Sequence, residues 1–292
     1  MFVNYDYYRI FYYVAKYGNL SQAARVLLSN QPNLTRTVKN LENELGCTLF
    51  FRTNRGMRLT PEGEKLFQHV KVALEHLEAG EAEITETKNL QSGTVFIAAT
   101  EVALRCLLLS VLNQYRRLYP GIRLRISNHS APQAIAAVRE GTADLALVTT
   151  PFDHSPALQQ KTLKPFREAA VCSDAFPELL GRSVALEELQ KYPLISLGDQ
   201  TGSFSFYSNF FNENDLRYSP DIEAATSDQI LPMVEAGLGI GFVPEEIIRP
   251  DDAVRRLQLN VPIPPREICM LKRKDQTLGV AAKALEQLLS EV

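Results

Sequence analysis

Cysteine is scarce in this sequence, and no two cysteines lie close together. The 292 residues contain only Cys47, Cys106, Cys172 and Cys269, without any CxxC spacing. Zinc sites and redox pairs generally need cysteines a few residues apart. The spacing therefore argues against both kinds of site and predicts buried free thiols, because unpaired cysteine packs as a small apolar side chain. We expect no metal and no cofactor.

Catalytic signatures are also missing. The patterns GxSxG, HExxH and GxxxxGK[ST] do not occur. The glycines of Gly237-Leu-Gly239-Ile-Gly241 resemble a phosphate loop, but they lie between a predicted helix and a predicted strand. A dinucleotide-binding loop needs the order strand, glycines, helix. We interpret this segment as a tight turn, and we expect no catalytic residues and no enzyme activity.

Long apolar runs are absent too. No run approaches the roughly 18 residues that a membrane-spanning helix requires. The first residues, MFVNYDYYRIF, lack the basic start and apolar core of a signal peptide. We therefore expect a cytoplasmic protein without a membrane partner.

Charge is small in total but unevenly distributed. The net charge is −3, whereas residues 1–60 carry eight basic and three acidic residues, a net +5, which leaves −8 for residues 61–292. A basic first segment followed by an acidic remainder favours local contact with DNA over general binding of polyanions.

Two short helical patterns lie between Leu20 and Leu41, separated by a polar break. Asn30 suits the N-cap of the second helix, and Pro32 suits its first turn. Apolar residues recur at helical spacing on both sides of the break: Ala23, Ala24, Leu27 and Leu28, then Leu34, Val38 and Leu41. With Ser21 as a cap for the first helix, this pattern predicts a helix-turn-helix whose second helix enters the DNA major groove.

The predicted reading face is the polar side of the second helix. Glutamine and asparagine can pair with adenine, arginine with guanine, and threonine can contact the thymine methyl group. A hairpin-like turn at Thr53–Gly56 follows and would form a wing whose arginines contact phosphates or the minor groove. The candidate DNA-binding residues are Gln31, Pro32, Asn33, Thr35, Arg36, Thr37, Lys39, Arg52 and Arg55.

A long helical stretch follows, from residue 61 to about residue 91. Its apolar and small residues alternate by four and three, which is typical of a coiled-coil seam. The seam comprises Leu66, Val70, Ala73, Leu77, Gly80, Ile84, Thr87 and Gln91. We expect a linker helix that pairs two copies of the chain; the alternative is one amphipathic helix packed on its own domain.

Strands and helices alternate from residue 92 onward, which predicts parallel sheets and two α/β subdomains. The chain would leave the first subdomain after Thr150, by about residue 160, and return near Pro265. Subdomain I would then contain about 92–160 and 266–292, and subdomain II about 161–265. A cleft at the carboxyl ends of such strands is where small ligands bind.

Polar residues cluster at the predicted strand ends and helix starts, and each could equally be an ordinary cap. As a set they predict an effector pocket: Thr100, Asn128, His129, Thr149, Thr201, Gly202, Ser203 and Thr226. Glu101 is the exception, because its carboxylate would repel an anion. It points away, pairs with Arg105, or faces a ligand that carries a positive group.

The sequence resembles the LysR-type transcriptional regulators along its whole length, most specifically in the first 65 residues. The residues that carry the resemblance are Phe11, Val14, Gly18, Leu20, Ser21, Ala23, Ala24, Leu27, Gln31, Pro32, Leu34, Arg36, Val38, Leu41, Glu42, Leu45, Gly46, Leu49, Phe50, Arg52, Arg55, Leu59, Thr60 and Gly63, and more loosely the segment VEAGLGIGFVP at 234–244. Asn30, Asn33, Thr35 and Thr37 depart from the family pattern, and these departures concern base preference.

The resemblance implies a winged helix-turn-helix at 1–60, a dimerising linker helix at 61–91 and a periplasmic-binding-protein-like effector domain at 92–292. It also implies a homodimer that assembles into a homotetramer, binding of double-stranded DNA at a pseudo-palindromic promoter site, control by a small-molecule effector and contact with RNA polymerase. By the same similarity, Thr100, Thr149 and Thr201 lie near effector-contact positions.

Two other functions remain open from sequence. One is an enzymatic or solute-binding α/β domain with an accessory DNA-binding head, which an acid–base pair or a metal in the cleft would favour. The other is a structural DNA binder without a ligand, which a cleft filled by side chains would favour.

Overall fold

A computed structural model describes residues 4–53, 56–85, 90 and 92–292. The chain divides into two compact units, Met1–Thr87 and Lys88–Val292. The first holds one apolar core and the second holds several. Within the described residues, no helix has both the length and the apolar content needed to cross a membrane.

The first unit is a three-helix head with a two-stranded wing and a long final helix. Its elements are α1 (Tyr5–Tyr17), α2 (Leu20–Val26), α3 (Gln31–Leu45), β1 (Phe50–Thr53), β2 (Gly56–Leu59) and α4 (Pro61–Thr85). Phe11, Leu34, Leu41 and Leu49 are almost completely buried between them. These side chains come from α1, α3 and the start of the wing, so one core fixes the orientation of α3.

Local capping sets both ends of α3, and its start is the one that the sequence predicts. The Asn30 side chain accepts a hydrogen bond from the Asn33 amide at 2.9 Å, and Pro32 lies in the first turn. Gly46 ends the helix in the left-handed conformation, with φ of +70°. These residues make α3 begin and end independently of its tertiary contacts.

The preceding helix differs from the prediction at both ends. Asn19, rather than Ser21, caps α2, because its side chain accepts hydrogen bonds from the amides of Ser21 and Gln22. Leu28 was expected on the buried face, but it lies beyond the helix, is 96% exposed and has φ of +49°. The chain must reverse between α2 and α3, and that reversal turns Leu28 out of the core.

The wing is an antiparallel hairpin in which Thr53 pairs with Gly56. The Met57 amide donates to the Gly18 carbonyl at 2.8 Å, and a Cβ at Gly56 would lie 2.3 Å from that same oxygen. Glycine is therefore required for β2 to approach the end of α1. Residues 54–55 at the tip, including the predicted phosphate contact Arg55, lie outside the described residues.

The long helix α4 starts against the head and then leaves it. Thr60 caps it, accepting from the Gly63 amide and donating to the Thr48 carbonyl. Val70 and Leu74 are buried in the head core, whereas Leu77 remains 47% exposed. The first turns of α4 thus pack on their own unit, and Ala73, Leu77 and Gly80 of the predicted seam are exposed. The side chain of Ile84, together with Thr87 and Gln91, lies outside the described residues.

The second unit contains twelve strands and six α-helices within its described residues. The strands are β3 (Thr94–Ala99), β4 (Arg123–Asn128), β5 (Leu145–Thr149), β6 (Leu158–Phe166), β7 (Glu168–Cys172), β8 (Ser183–Val184), β9 (Leu194–Leu197), β10 (Ile222–Ala224), β11 (Ile240–Pro244), β12 (Arg255–Arg256), β13 (Gln258–Leu259) and β14 (Arg266–Arg273). The helices are α5 (Glu101–Ala103), α6 (Leu109–Leu118), α7 (Ala131–Arg139), α8 (Gly202–Asn212), α9 (Ile230–Glu235) and α10 (Val280–Ser290). A π-helical turn, Leu104–Leu108, joins α5 to α6.

Two five-stranded sheets organise this unit, in the orders β4-β3-β5-β14-β6 and β10-β9-β11-β7-β12. In the first, β3 pairs in parallel with β4 and β5, while β14 is antiparallel to both neighbours. In the second, β9, β10 and β11 run parallel, and β7 is antiparallel to β11 and β12. Each sheet is therefore mixed, because the strands next to the crossings between sheets reverse direction.

The first crossing between the sheets lies later than the sequence predicts. The chain does not leave the first sheet between Thr150 and residue 160, because β6 continues that sheet to Phe166. Most of β6 is polar and solvent-exposed, as befits an edge strand, so apolar alternation does not mark it. Subdomain I therefore comprises 92–166 and 266–292, and subdomain II comprises 167–265, with crossings at Arg167 and at Pro265.

Candidate functional site

The candidate DNA-binding face lies along the first three turns of α3. Gln31, Pro32, Arg36 and Lys39 are exposed, and Asn33 and Thr35 are half-buried. The opposite side of α3 is buried through a stripe that includes Leu34, Val38 and Leu41, so the side chains of the polar face stay free to reach outward. The structure thus brings six of the predicted residues onto one polar face.

Thr37 does not belong to that face, contrary to the prediction. It is 7% exposed and follows Leu34 by three residues, so it continues the buried stripe of Leu34, Val38 and Leu41. Residues at i, i+3, i+4 and i+7 share one side of a helix. A polar residue type predicts exposure at this i+3 position, whereas the methyl group of threonine packs well in a core.

Hydrogen bonds order the start of the face. The Ser21 hydroxyl donates to Gln31 Oε1 at 3.3 Å, and Asn33 Nδ2 donates to Ser29 Oγ at 3.3 Å. Arg36 Nη2 lies 3.5 Å from Asn33 Oδ1. These contacts link α2, the turn and α3, and they limit the rotamers of the amide side chains before any partner binds. On the wing, Arg52 is exposed on β1 and Arg58 on β2.

In the second unit a cleft opens between the two subdomains. Its cavity has a volume of about 460 Å³. All eight residues predicted for the effector pocket line it: Thr100, Asn128, His129, Thr149, Thr201, Gly202, Ser203 and Thr226. Sheet topology explains the convergence, since these residues follow or end β3, β4, β5 and β10 or begin α8, at the carboxyl ends of parallel strands. The cleft is open and is not filled by side chains.

Two of the cleft hydroxyls also serve as helix caps. Thr100 Oγ1 accepts from the Ala103 amide at 3.4 Å. Thr201 Oγ1 accepts from the Phe204 amide at 3.2 Å and donates to the Gly198 carbonyl at 2.8 Å. Beside it, a Cβ at Gly202 would lie 2.4 Å from the Pro151 carbonyl oxygen, so glycine lets α8 begin against the first subdomain.

Arg266, which sequence reasoning missed, lies directly beneath the cleft. It is 2% exposed, and its Nη2 donates to Thr149 Oγ1 at 3.1 Å while Nη1 donates to Ser203 Oγ at 3.2 Å. Its Nε donates to the Thr150 carbonyl at 2.6 Å, and Nη1 forms an ion pair with Glu168 at 2.7 Å. No sequence signal marks Arg266, since an arginine at the start of a strand is ordinarily exposed.

Glu101 faces the cleft. Asn128 Nδ2 donates to its Oε2 at 3.0 Å, and both residues line the cavity. Among the described residues Glu101 forms no ion pair, so the expected alternative of pairing with Arg105 is not realised. Burial and the nearby Asp228 raise the pKa of Glu101, and Arg105 partly opposes this. Burial lowers the pKa of His129, which favours the neutral imidazole.

Free thiols and possible metal ligands lie apart. All four cysteines, each within the described residues, are free; Cys172 and Cys269 are buried, and Cys47 and Cys106 are half-buried. In the described part of the chain, no three His, Cys, Asp or Glu side chains come together as a metal-binding group. The residues that line the cleft offer hydrogen-bonding groups and the carboxylate of Glu101.

Comparison with protein-family models gives two matches. Residues 5–64 match the model described as "Bacterial regulatory helix-turn-helix protein, lysR family". Residues 88–292 match the model described as "LysR substrate binding domain". The first model thus matches residues 5–64 of the first structural unit, and the second matches all of the second unit.

One individual relative gives the same family, and two solved structures share the fold. The HTH-type transcriptional regulator CysB of Burkholderia cenocepacia is 30% identical over 236 residues, which is 80% of this chain and 75% of that protein. Among solved structures, CbnR, a LysR family transcriptional regulator, is 17% identical and covers 99% of this chain and 98% of its own, with a TM-score of 0.73. Full-length CbnR complexed with target DNA is 18% identical, covers 99% of each chain and has a TM-score of 0.72.

Proposed function

Since this chain belongs to the LysR family of bacterial transcriptional regulators, we propose that it binds promoter DNA sequence-specifically and that a small-molecule effector in the cleft controls this binding. One observation carries the proposal: seven polar residues and Gly202, gathered from both subdomains, line a single open cavity of about 460 Å³. Ligand pockets of this size, with a few convergent polar groups, are common between mobile subdomains.

In the proposed DNA complex, α3 lies in the major groove. Gln31, Asn33, Thr35 and Arg36 would contact base edges, and Lys39, Arg52 and Arg55 would contact phosphates. The solved CbnR–DNA complex supports this arrangement through its shared fold. Paired heads would favour a pseudo-palindromic site with half-sites about one helical turn apart.

We further propose that residues 61–91 pair two chains and that the pairs form a homotetramer. The exposed Leu77 supports the pairing, because a large apolar side chain in mid-helix gains from burial against a second copy. Residues 1–60 would act as the DNA-binding domain and residues 92–292 as the effector domain, without enzyme activity. Contact with RNA polymerase would couple binding to transcription.

Effector control would follow from a change in the angle between the subdomains. Residues from both walls line the cleft, so a ligand that contacts both makes more contacts in a closed arrangement. A ligand shifts such an equilibrium only through its different affinities for the two arrangements. The change would alter the spacing of the DNA heads in the oligomer and hence the bend or the affinity of the DNA.

DNase I footprinting of the full-length protein on its own upstream region, at moderate salt, tests the DNA part. We expect two protected segments with dyad symmetry, and uniform weak protection would contradict the proposal. Thr226→Trp tests the effector part by filling the cleft. It should leave the footprint intact while abolishing its response to metabolites that alter it in the wild type. An unchanged response would place effector control elsewhere.

A further inference from the structure

The charges that line the cleft are unbalanced. Glu101 is an acidic residue of the cavity lining, and the described lining contains neither lysine nor arginine. Asn128 holds the Glu101 carboxylate through its 3.0 Å hydrogen bond. Because no ion pair neutralises Glu101 among the described residues, this side of the cleft presents negative charge to an occupant.

A second carboxylate comes directly after Ser227, which lines the cavity from subdomain II. Asp228 belongs to the short turn Ser227–Gln229 of subdomain II, which contacts α5 of subdomain I. Burial is the main cause of the raised pKa of Glu101, and the negative charge of Asp228 adds to it. The carboxylates of Glu101 and Asp228 therefore repel each other, and a cation between them would remove the repulsion.

The floor of the cleft has the opposite preference. Thr149 Oγ1 and Ser203 Oγ both accept hydrogen bonds from Arg266. A guanidinium group can only donate, so each hydroxyl keeps its own proton for another acceptor. No such acceptor occurs among the hydrogen bonds of the described residues, and Thr149 is only 5% exposed. The two hydroxyls therefore offer protons to the cavity, where an occupant's acceptor group would satisfy them.

We propose that the effector is a small zwitterion of the amino-acid class, with its ammonium group at Glu101 and its carboxylate at the hydroxyls of Thr149 and Ser203. This inference rests on the proposed effector function of the same cleft. The positively charged end of the ligand, its ammonium group, lies at the mouth of the cleft, and the negatively charged carboxylate lies on the floor. Arg266 acts as a positioning residue, since it orients the two hydroxyls without facing the ligand.

The same geometry supplies a reason for closure. An ammonium group between Glu101 of subdomain I and Asp228 of subdomain II attracts both carboxylates, which otherwise repel each other. The ligand thus binds the closed arrangement more tightly than the open one, which is the condition for shifting the equilibrium. A carboxylic acid that lacks the amine would bind the hydroxyls of Thr149 and Ser203 but would leave the repulsion between Glu101 and Asp228 in place.

Binding to the full-length protein tests this assignment. The probes are the twenty common amino acids, measured by thermal shift and then by calorimetry. Each amino acid that binds is compared with its carboxylic acid lacking the amine and with its amine lacking the carboxylate. We expect at least one amino acid to bind at least tenfold more tightly than both of its truncated partners.

Variants separate the two ends of the ligand. Glu101→Gln retains the size of the side chain and its hydrogen-bond acceptor for Asn128. It should weaken the binding of the amino acid at least tenfold without weakening the binding of the carboxylic acid. Thr149→Val should weaken the binding of both compounds. Glu291→Gln, an exposed glutamate outside the cleft, is the matched control and should change neither.

Three results would overturn the proposal that the effector is a zwitterion. They are equal affinity for the carboxylic acid and the amino acid, unchanged amino-acid affinity in Glu101→Gln, and no binding of any amino acid at 10 mM. The proposed regulatory function survives each of them if another metabolite alters the footprint and Thr226→Trp abolishes that response. If no metabolite does so, the effector function of the cleft itself fails.

Discussion

Nη1 of Arg266 lies 2.7 Å from Oε1 of Glu168, and the two side chains are only 2% and 1% exposed. Glu168 begins β7 directly after the chain enters subdomain II, and Arg266 begins β14 directly after it returns. The rings of Phe166 and Phe206 flank the guanidinium, with centroids 5.4 Å and 4.9 Å away. This ion pair therefore links the first strand after each crossing, β7 in one sheet and β14 in the other.

Burial raises the pKa of the Glu168 carboxyl, and the guanidinium of Arg266 opposes that rise. Removing the guanidinium alone would leave a buried carboxyl without its partner. We expect Arg266→Met to reduce the free energy of unfolding by about 3–5 kcal/mol. Urea unfolding of the full-length protein, followed by far-UV circular dichroism, measures this change.

The double variant Arg266→Met/Glu168→Leu separates pairing from general disruption. Replacing both charges removes the unpaired group, so the double variant should be more stable than Arg266→Met alone. If the free energy of unfolding of the double variant falls by the sum of the decreases in Arg266→Met and Glu168→Leu, then Arg266 stabilises the crossing by packing and not by pairing with Glu168.

Arg36 and Thr37 are neighbours on α3 with opposite surroundings. Arg36 is exposed on the polar face, whereas Thr37 is buried in the stripe. We expect Arg36→Ala to cost roughly 1–3 kcal/mol of DNA-binding free energy and to relax preference at one base pair. Thr37→Val, which keeps the buried shape, should leave both affinity and preference unchanged.

Fluorescence anisotropy with a panel of single-base variants of the operator measures both quantities. Equal weakening on all sequences would identify Arg36 as a phosphate contact. A changed base preference in Thr37→Val would return Thr37 to the reading face, against its burial.

Short-range signals made the ends of α3 predictable. Asn30 and Gly46 act on amides and carbonyls within a few residues, so the ends of α3 follow from the sequence without its tertiary contacts. The cleft residues were predictable for a related reason. Thr100 and Thr149 come directly after or at the end of apolar strands, and parallel strands bring their carboxyl ends to one edge.

Long-range pairing was not predictable. Strand β6 is mostly polar because one edge and much of one face meet solvent, so its apolar alternation is weak. Arg266 is buried because Glu168, 98 residues earlier, neutralises it. The sequence around Arg266 does not indicate its pairing with Glu168, and the sequence around Glu168 does not indicate its pairing with Arg266. Thr37 is buried although its side chain is polar, because it lies three residues after Leu34 on the same side of α3.

Leu28 carries a local strain that predicts a stabilising substitution. Its φ of +49° is unfavourable for a residue with a Cβ, and its side chain is 96% exposed, so little packing compensates. Leu28→Gly should raise the free energy of unfolding of the head by roughly 1 kcal/mol. Leu28→Ala, which retains a Cβ, is the matched control and should give little gain. Thermal and urea unfolding measure both, and equal effects would locate the change in the side chain and not in the backbone.

Cys106 predicts a loss of stability in alkali. It lies on the π-helical turn against the apolar cluster of subdomain II that includes Ile247, and burial raises its pKa from 9.0 to about 12. Between these values the unfolded chain loses the thiol proton while the folded chain keeps it, so the free energy of unfolding falls as pH rises. Cys106→Val removes this group and should lose less stability than the wild type between pH 8 and about pH 10.5.

Cys172, whose pKa burial raises to about 11, and Tyr115, whose pKa it raises to about 12, remain in both proteins. Their contribution therefore cancels when the two pH profiles are subtracted. Parallel profiles for the wild type and Cys106→Val would show that the Cys106 thiol titrates alike in the folded and unfolded chains.

Leu77 and Val72 offer a matched pair on α4 for the proposed dimer. Both are apolar and exposed, at 47% and 39%, but only Leu77 belongs to the seam with Ala73 and Gly80. Val72 precedes Ala73 by one residue and so lies about 100° around the helix from it. If the seam pairs two chains, Leu77→Glu buries a carboxylate in the interface and should raise the dimer dissociation constant at least a hundredfold. Val72→Glu should not change it. Analytical ultracentrifugation of the full-length protein measures both constants, and equal effects of the two substitutions would contradict pairing through this seam.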